Sequence, residues 1–192
     1  MNQKSIMQIA LGDQWQDLPT VLQAHYQSNA NTDIGEMDIE YPLFMQPFLT
    51  VLRLFGVLIN KRGRKIPTTV EKNMKGDIQY WKRTLRFSDE KIILFNSFCV
   101  HDKDNDLIEY VNSFIGLRMR VYIKNKELHY EGCNFVFKLG TLLLPVPEWL
   151  LLGHTTIVES ALNDNEFIMD FKLVHPILGR IFRYSGKFKN VS

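Results

Sequence analysis

The chain has 192 residues, with 23 lysines and arginines against 21 aspartates and glutamates, and a formal net charge of +2. A balance this close to neutral argues against general nucleic-acid binding, which depends on a strongly basic face. The length predicts one domain over residues 1–192, and a hydrophobic content of 45% with 13 phenylalanines favours a β-rich core.

The two cysteines, Cys99 and Cys133, are too few for a disulfide framework. Both lie in apolar, strand-like sequence and predict buried thiols in a reducing compartment. The first fifteen residues lack the apolar stretch of a signal peptide. The longest apolar run is interrupted by Gln46, Pro47 and Arg53, which argues against a transmembrane segment. We therefore expect a cytoplasmic protein.

The first predicted element is a short amphipathic helix over residues 17–27, capped by Asp17 and with Pro19 in its first turn. A strand follows at 36–41, where apolar and acidic residues alternate. Residues 43–58 predict a second helix that is apolar nearly all round. Because such a helix is normally enclosed, we expect it inside the fold.

From residue 66 onward the hydrophobic pattern has a period of two, and the connections are short and polar, which predicts antiparallel pairing. The predicted strands are 66–74, 77–87, 91–100, 107–123 with a break near Asn112, 127–138, 154–161, 166–174 and 180–188. The predicted fold class is α+β. It consists of a strongly curved, mostly antiparallel sheet of about eight or nine strands, half-barrel or barrel-like, wrapped around one apolar helix, with a short N-terminal amphipathic helix.

An unusually apolar segment, residues 140–159, separates two of these strands. It is too short and too broken by proline to span a membrane, and too apolar for an ordinary solvated loop. Within it, residues 142–152 predict a flap held by Pro145 and Pro147, with one helical turn around Trp149. Three interpretations stay open: part of the core, the cover of a ligand cavity, or a docking surface.

Polar side chains on the last three strands form the main candidate site. They are Glu159, Asp170, Arg180, Arg183 and Tyr184. A carboxylate grouped with an arginine and a tyrosine can hold a polar head group or transfer protons, although cross-strand ion pairs are common without function. The predicted ligand-binding residues are Trp149, Leu151, Glu159, Arg180, Tyr184 and Met119, the last on the inner face of a strand.

Two other groups are weaker candidates. The histidines show no HxH or HxxxH spacing and the cysteines no CxxC, so no metal site is predicted. His154 and His175 are expected to end strands and form local hydrogen bonds. The basic loop at 61–65 can meet phosphates or an anionic membrane surface, but a solvated loop at the end of a helix is the simpler explanation.

Four stretches resemble a bacterial family, the domain of unknown function 4166. They are ALGDQWQDLPTVLQAHY, GEMDIEYP, LPVPEW and HPILGRIFRYSGKF, and the resemblance runs from about Ala10 to Phe188. It implies a domain that occurs alone or joined to NAD(P)-binding proteins similar to saccharopine dehydrogenase, and it brings no catalytic residues. The chain itself has no GxGxxG motif, so no cofactor is predicted.

The function predicted first is non-catalytic binding of a hydrophobic or lipid-like ligand in a cavity beneath residues 142–152. The alternative is an interaction module that docks an NAD(P)-dependent oxidoreductase-type protein partner through the same segment. The third is an enzyme that uses Glu159, Tyr184 and Arg180, with the expectation weighing against catalysis. Nucleic acid is not an expected partner, whereas peripheral contact with a membrane is compatible with the sequence.

Overall fold

A computed structural model of the protein describes residues 4–27 and 30–191. Within these residues four α-helices are present: α1 (Ile6–Leu11), α2 (Thr20–Tyr26), α3 (Gln46–Leu54) and α4 (Glu148–Leu151). Short 3-10 helices at Gly12–Asp17 and Leu43–Met45 precede α2 and α3. All four helices are short, and none in the described part of the chain is long and apolar enough to cross a membrane.

The remaining elements are β-strands, eleven within the described residues. They are β1 (Asn31–Glu40), β2 (Gly63–Lys75), β3 (Ile78–Arg86), β4 (Ile92–Lys103), β5 (Asp106–Tyr110), β6 (Ile115–Lys124), β7 (Glu127–Leu139), β8 (Leu142–Val146), β9 (His154–Ala161), β10 (Glu166–His175) and β11 (Gly179–Asn190). Every predicted strand is present, and the predicted break near Asn112 separates β5 from β6. The strand β8 was not predicted.

The strands form one antiparallel sheet that closes into a ten-stranded barrel. The order is β6-β5-β4-β3-β2-β1-β11-β10-β9-β7, and pairing of β6 with β7 closes the ring. The first part of β7 pairs with β9, and its second part pairs with β8, which lies outside the ring. The predicted α+β class with a barrel-like antiparallel sheet is therefore confirmed.

Antiparallel pairing sends successive connections to opposite ends of the barrel. We call one end the apolar end; it carries the connections at 41–62, 87–91, 111–114, 140–153 and 176–178. The other is the helical end, where α1 and α2 lie. Eight strands enclose a space that side chains alone can fill, so a ten-stranded ring needs further filling.

The helices α1 and α2 supply that filling at the helical end. The Ser5 hydroxyl caps α1 by accepting a hydrogen bond from the Gln8 backbone N–H, and the Ser5 backbone N–H donates to the Gln8 side-chain oxygen. The buried faces of both helices pack inside the ring and contain Ile6, Met7, Ala10, Leu11, Val21, Leu22, His25 and Tyr26. The predicted helix at 17–27 is thus observed as α2, although Pro19 and not Asp17 occupies its N-cap, without a side-chain hydrogen bond.

The predicted burial of helix 43–58 is wrong. The α-helix in this range, α3, lies across the apolar end, where Leu49 is fully buried but Leu54 is 81% exposed. Pro47 lies in the first turn of α3, and Gly56, with a φ of 73°, ends the helix. The interior is already occupied by α1 and α2, so α3 keeps one apolar side outside the barrel.

The apolar segment at 142–152 forms the edge strand β8 and the predicted helical turn, α4. Leu142, Leu143 and Leu144 are exposed, and Trp149 is 61% exposed. Leu152, in contrast, is buried at the mouth of the barrel. The segment is therefore an exposed apolar border of the barrel with one inward anchor.

Candidate functional site

The barrel interior contains a cavity of about 60 Å³ between its strands and the two N-terminal helices, with a mostly apolar wall on which several polar side chains converge. We define the polar cavity by five of its lining residues: Glu159, Tyr26, Tyr130, Gln79 and Arg83. An ordinary barrel core would place apolar side chains at these inward positions. Ionisable and hydrogen-bonding groups that converge on an enclosed space are the usual mark of a binding or catalytic site.

Glu159 is the central acid of the polar cavity. It is 3% exposed on β9, and the hydroxyl of Tyr26 lies 2.9 and 2.8 Å from its two carboxylate oxygens. The Tyr130 hydroxyl donates in turn to that of Tyr26 at 2.5 Å. Burial raises the pKa of Glu159 to about 7, against the opposing effects of the Tyr26 hydrogen bond and of Lys72. The group can therefore bind or release a proton near neutral pH.

Lys72 is the buried base beside this acid. The residue is 2% exposed, and its Nζ lies 5.3 Å from the centre of the Tyr26 ring and 5.4 Å from that of Trp81. This amine has no hydrogen-bond partner among the described residues. Burial lowers the pKa of Lys72 to about 7, although the charges of Asp33 and Glu159 work against that change.

A second buried pair lies where α2 meets β1. His25 Nδ1 and Asp33 Oδ2 are 2.6 Å apart, and the Asn190 amide donates to the other carboxylate oxygen at 3.2 Å. Burial lowers the pKa of His25, and Asp33 offsets only part of that effect. A neutral imidazole that donates from Nδ1 to the Asp33 carboxyl group satisfies this geometry.

Arg83 forms the cationic wall of the polar cavity. Its guanidinium donates to Glu109 at 3.1 Å and to the Ser97 hydroxyl at 2.8 Å. Burial is the largest single effect and works to lower the pKa of Arg83, but the charge and hydrogen bond of Glu109 together with Tyr184 and Tyr26 outweigh it, and the pKa is raised. Arg83 is therefore a fixed and already partnered charge.

Gln79 differs because its donor is not satisfied. The residue is 1% exposed on β3, it lines the polar cavity, and its Nε2 has no partner among the described residues. A buried amide donor without an acceptor costs about 1–3 kcal/mol. An acceptor atom that entered the cavity would remove this penalty.

An apolar cavity, also of about 60 Å³, lies closer to the apolar end. Val57, Leu152 and Phe171 line it, and it shares Glu109 and Tyr184 with the polar cavity. Burial raises the pKa of Tyr184, so the phenol stays protonated. The two cavities thus form neighbouring spaces along the barrel, polar towards the helices and apolar beneath Leu152.

The structure brings three predicted ligand-binding residues together and separates the others. Glu159, Tyr184 and Met119 all line the polar cavity. Trp149 and Leu151 lie on the outside of the apolar end and line neither of the two interior cavities.

Arg180 and Arg183 are also absent from the interior, for two reasons. The strand β10 lies between β9 and β11, so Glu159 opposes Met169 and not Arg183. A register shift after Leu173 then places Arg180 outside, although Tyr184 faces inward. Arg183 instead donates to Asp170 at 2.7 Å on the outer face.

The residues that sequence reasoning missed are Lys72, Gln79, Arg83, Tyr26 and Tyr130. A signal existed for two of them, because Lys72 falls between the buried Val70 and the partly buried Met74 in the period-two pattern of β2, and Arg83 between Trp81 and Leu85 in that of β3. A polar residue at an inward position of a barrel strand indicates a polar interior.

A separate cluster on the outside has a structural explanation. Glu148 is a buried residue of α4, beside the point where β7 stops pairing with β9. Its carboxylate accepts hydrogen bonds from the Thr155 backbone at 3.1 Å and from His154 Nδ1 at 2.8 Å. A Cβ atom on Gly132 would come within 1.9 Å of the Glu148 carboxylate. No group of three potential metal ligands is present within residues 4–27 and 30–191.

Each cavity has room for only about four water-sized atoms, and drug-sized ligands need several hundred Å³. The closed barrel therefore does not accommodate a long acyl chain.

Searches of curated proteins and of solved structures find no match. A family model described as Domain of unknown function (DUF4166) matches residues 18–188. Since the match spans most of the barrel, the chain belongs to this family.

Proposed function

We propose that the barrel binds a short, mainly apolar molecule that carries a neutral carbonyl group. The observation that carries this proposal is the unsatisfied amide donor of Gln79 on the wall of an enclosed cavity. An uncharged carbonyl oxygen would accept its hydrogen bond without the desolvation penalty of a second buried anion. That penalty matters because Glu159, Asp33 and Glu109 already line the polar cavity.

The apolar cavity would hold the rest of the ligand. It lies next to the polar cavity beneath Leu152, and Val57, Phe171 and Leu173 contribute its apolar wall. Together the two spaces suit a molecule of roughly eight non-hydrogen atoms. This refines the prediction of a hydrophobic ligand under residues 142–152, because the ligand is much shorter than a membrane lipid.

Saturation-transfer NMR with hexanamide, hexanoate and dodecanoate tests the proposal. We expect hexanamide to bind, hexanoate to bind more weakly at pH 7.5, and dodecanoate to show no interior binding. Gln79→Leu should weaken hexanamide binding about tenfold through loss of one buried hydrogen bond. Leu173→Trp, which fills the apolar cavity, should abolish it.

Leu162→Trp is the matched control, since Leu162 is exposed at the helical end. Circular dichroism would establish that each variant keeps its fold. Hexanamide binding that is equal in wild type, Gln79→Leu and Leu173→Trp would contradict the proposal, as would its complete absence in the wild-type protein.

The two alternatives remain predictions. Docking of an oxidoreductase-type partner requires Trp149 and Leu151 to be accessible, and both are exposed. The enzyme hypothesis requires Glu159, Tyr184 and Arg180 to share one site, but Arg180 lies outside the barrel and apart from the other two. Lys72 is a buried base close to Tyr26, but its amine has no hydrogen-bond partner among the described residues that would position it.

A further inference from the structure

The exposed apolar side chains are concentrated at one end of the barrel. Among the described residues 25 large apolar side chains are exposed, and nineteen of them lie at the apolar end. They belong to α3 and its flanks, to the start of β4, to the turn at Phe114, to the ends of β7 and β10, to β8 and α4, and to the turn at 176–178. The most exposed are Leu54 at 81% and Ile177 at 85%.

The extent of this surface is unusual for a free monomer. A fully exposed aromatic side chain presents about 150–250 Å², so nineteen partly exposed side chains present on the order of 1,500 Å². The largest apolar patch of a typical monomer covers about 300–600 Å². A partner that removes this surface from water is therefore expected.

The arrangement of the surface fits a flat partner. Hydrogen bonds tie the separate connections to one another: Arg53 to the Leu94 carbonyl at 2.9 Å, Asn112 to that of Phe55 at 2.8 Å, and Lys138 to that of Phe114 at 2.7 Å. The apolar side chains thus lie around the barrel mouth on a linked set of connections. They do not line one narrow groove of the kind that receives a peptide.

Charge distinguishes a membrane from other flat partners. The segments 40–65, 86–94, 110–115, 138–154 and 174–180 contain nine basic and four acidic residues, whereas the whole chain has a net charge of only +2. Of the four acids, Glu148 is buried and Glu40 lies near Arg180 and Arg183. Two copies facing each other would bring like charges together, which argues against self-association through this end.

We propose that the apolar end docks on the surface of an anionic lipid bilayer. Phe48, Val51 and Leu54 of α3 enter the boundary between head groups and acyl chains, and the basic loop at 61–65 lies against the phosphates. The mouth above Leu152 then faces the membrane. This inference does not depend on what the cavities hold.

Co-sedimentation with vesicles tests the inference. We expect binding to vesicles of phosphatidylcholine and phosphatidylglycerol at 70:30 (about 30% anionic lipid) and little binding to phosphatidylcholine alone. Binding should weaken between about 0.05 and 0.3 M salt because the electrostatic part is screened. Emission from Trp149 should shift to shorter wavelength, since Trp15 and Trp81 are already buried.

Two double variants separate the apolar contribution to vesicle binding from the electrostatic contribution. Phe48→Ser with Leu54→Ser should lower the partition coefficient at least about tenfold. Arg64→Gln with Lys65→Gln should lower it about thirtyfold on anionic vesicles only.

Ile168→Ser with Leu162→Ser, at exposed positions away from the apolar end, is the matched control and should bind like the wild-type chain. Absence of binding to anionic vesicles would overturn the inference, and so would unchanged binding by the Phe48 and Leu54 variant. A protein captured from a lysate through Phe48 and Leu54, without vesicle binding, would overturn it in favour of a protein partner.

Discussion

Replacement of Glu159 by glutamine tests the buried acid at the centre of the polar cavity. The substitution Glu159→Gln keeps an acceptor for the Tyr26 hydroxyl but removes the ionisation. In the folded protein burial raises the pKa of Glu159 from 4.5 to about 7. Between these pH values the folded state binds more protons than the unfolded state, so wild-type stability falls as the pH rises and the loss is complete above about 7.

The magnitude follows from the two pKa values. At about 1.4 kcal/mol for each pH unit, the loss from pH 4.5 to pH 7 is roughly 3 kcal/mol. This is an upper bound, because the glutamine also removes the negative charge that stabilises protonated Lys72. The variant should therefore match the wild type near pH 5 and exceed its free energy of unfolding by up to about 3 kcal/mol near pH 8.

Urea denaturation followed by tryptophan fluorescence at pH 5, 6, 7 and 8 measures this difference. The exposed Glu71→Gln on β2 serves as the control and should run parallel to the wild type. If the free energy of unfolding of Glu159→Gln also follows that of the wild type at every pH, then folding does not raise the pKa of the Glu159 carboxyl group, although its buried position requires this. The assignment of an acid that titrates near neutral pH would then be withdrawn.

Three further predictions concern other buried groups. From about pH 7 to pH 10 the folded wild-type protein has lost the Lys72 proton that the unfolded chain still holds, so its free energy of unfolding should rise with pH. Lys72→Met should remove this rise. Urea denaturation from about pH 7 to pH 10 measures the effect, and an unchanged rise in the variant would refute the prediction. Gly132→Ala should lower the free energy of unfolding by roughly 1–3 kcal/mol because the new methyl group meets the Glu148 carboxylate, and Gly132→Ala with Glu148→Ala should lose less than the sum of the single changes. Leu49→Ala should lower the free energy of unfolding by about 2–5 kcal/mol and Leu54→Ala by less than about 0.5 kcal/mol; equal melting temperatures would contradict the orientation of α3.

The strands were predictable because each carries its own signal. Alternation of apolar and polar residues is local, and β9 was predicted with the observed bounds, His154–Ala161. Closure of the ring was not predictable in the same way. Besides the β6–β7 hairpin it requires the pairing of β1 with β11 and of β7 with β9, which join residues far apart in the sequence.

For the helices, in contrast to the strands, the apolar composition gave a wrong prediction of which helix lies inside the barrel. Helix α1 has six residues, too few for a clear period, yet it lies inside the barrel. Helix α3 is apolar on two sides and was expected there instead. The pattern predicted an enclosed helix, but only the side of α3 that carries Leu49 is buried, and Phe48, Val51 and Leu54 are exposed.

Whether a predicted site residue lies in the barrel interior depends on which face of its strand it occupies. Glu159, Tyr184 and Met119 were placed correctly because alternation alone decides which side they face. Arg180 was lost to a register shift after Leu173, since one extra residue reverses the side of every residue that follows it. The mark in the sequence is the adjacent apolar pair Ile181 and Phe182, both buried, which breaks the alternation of β11.

The two ends of the barrel suggest how the interior is reached. At the helical end α1 is held by its buried side chains Ile6 and Met7, and α2 by the contact between His25 and Asp33 inside the ring. At the apolar end only connecting segments cover the cavities, with Val57 and Leu152 as the inward anchors. Segments outside the hydrogen-bond ladder open at lower free energy than strands within it. A molecule from an apolar phase would therefore enter beneath Leu152, and the unsatisfied donor of Gln79 would select those that bring an acceptor.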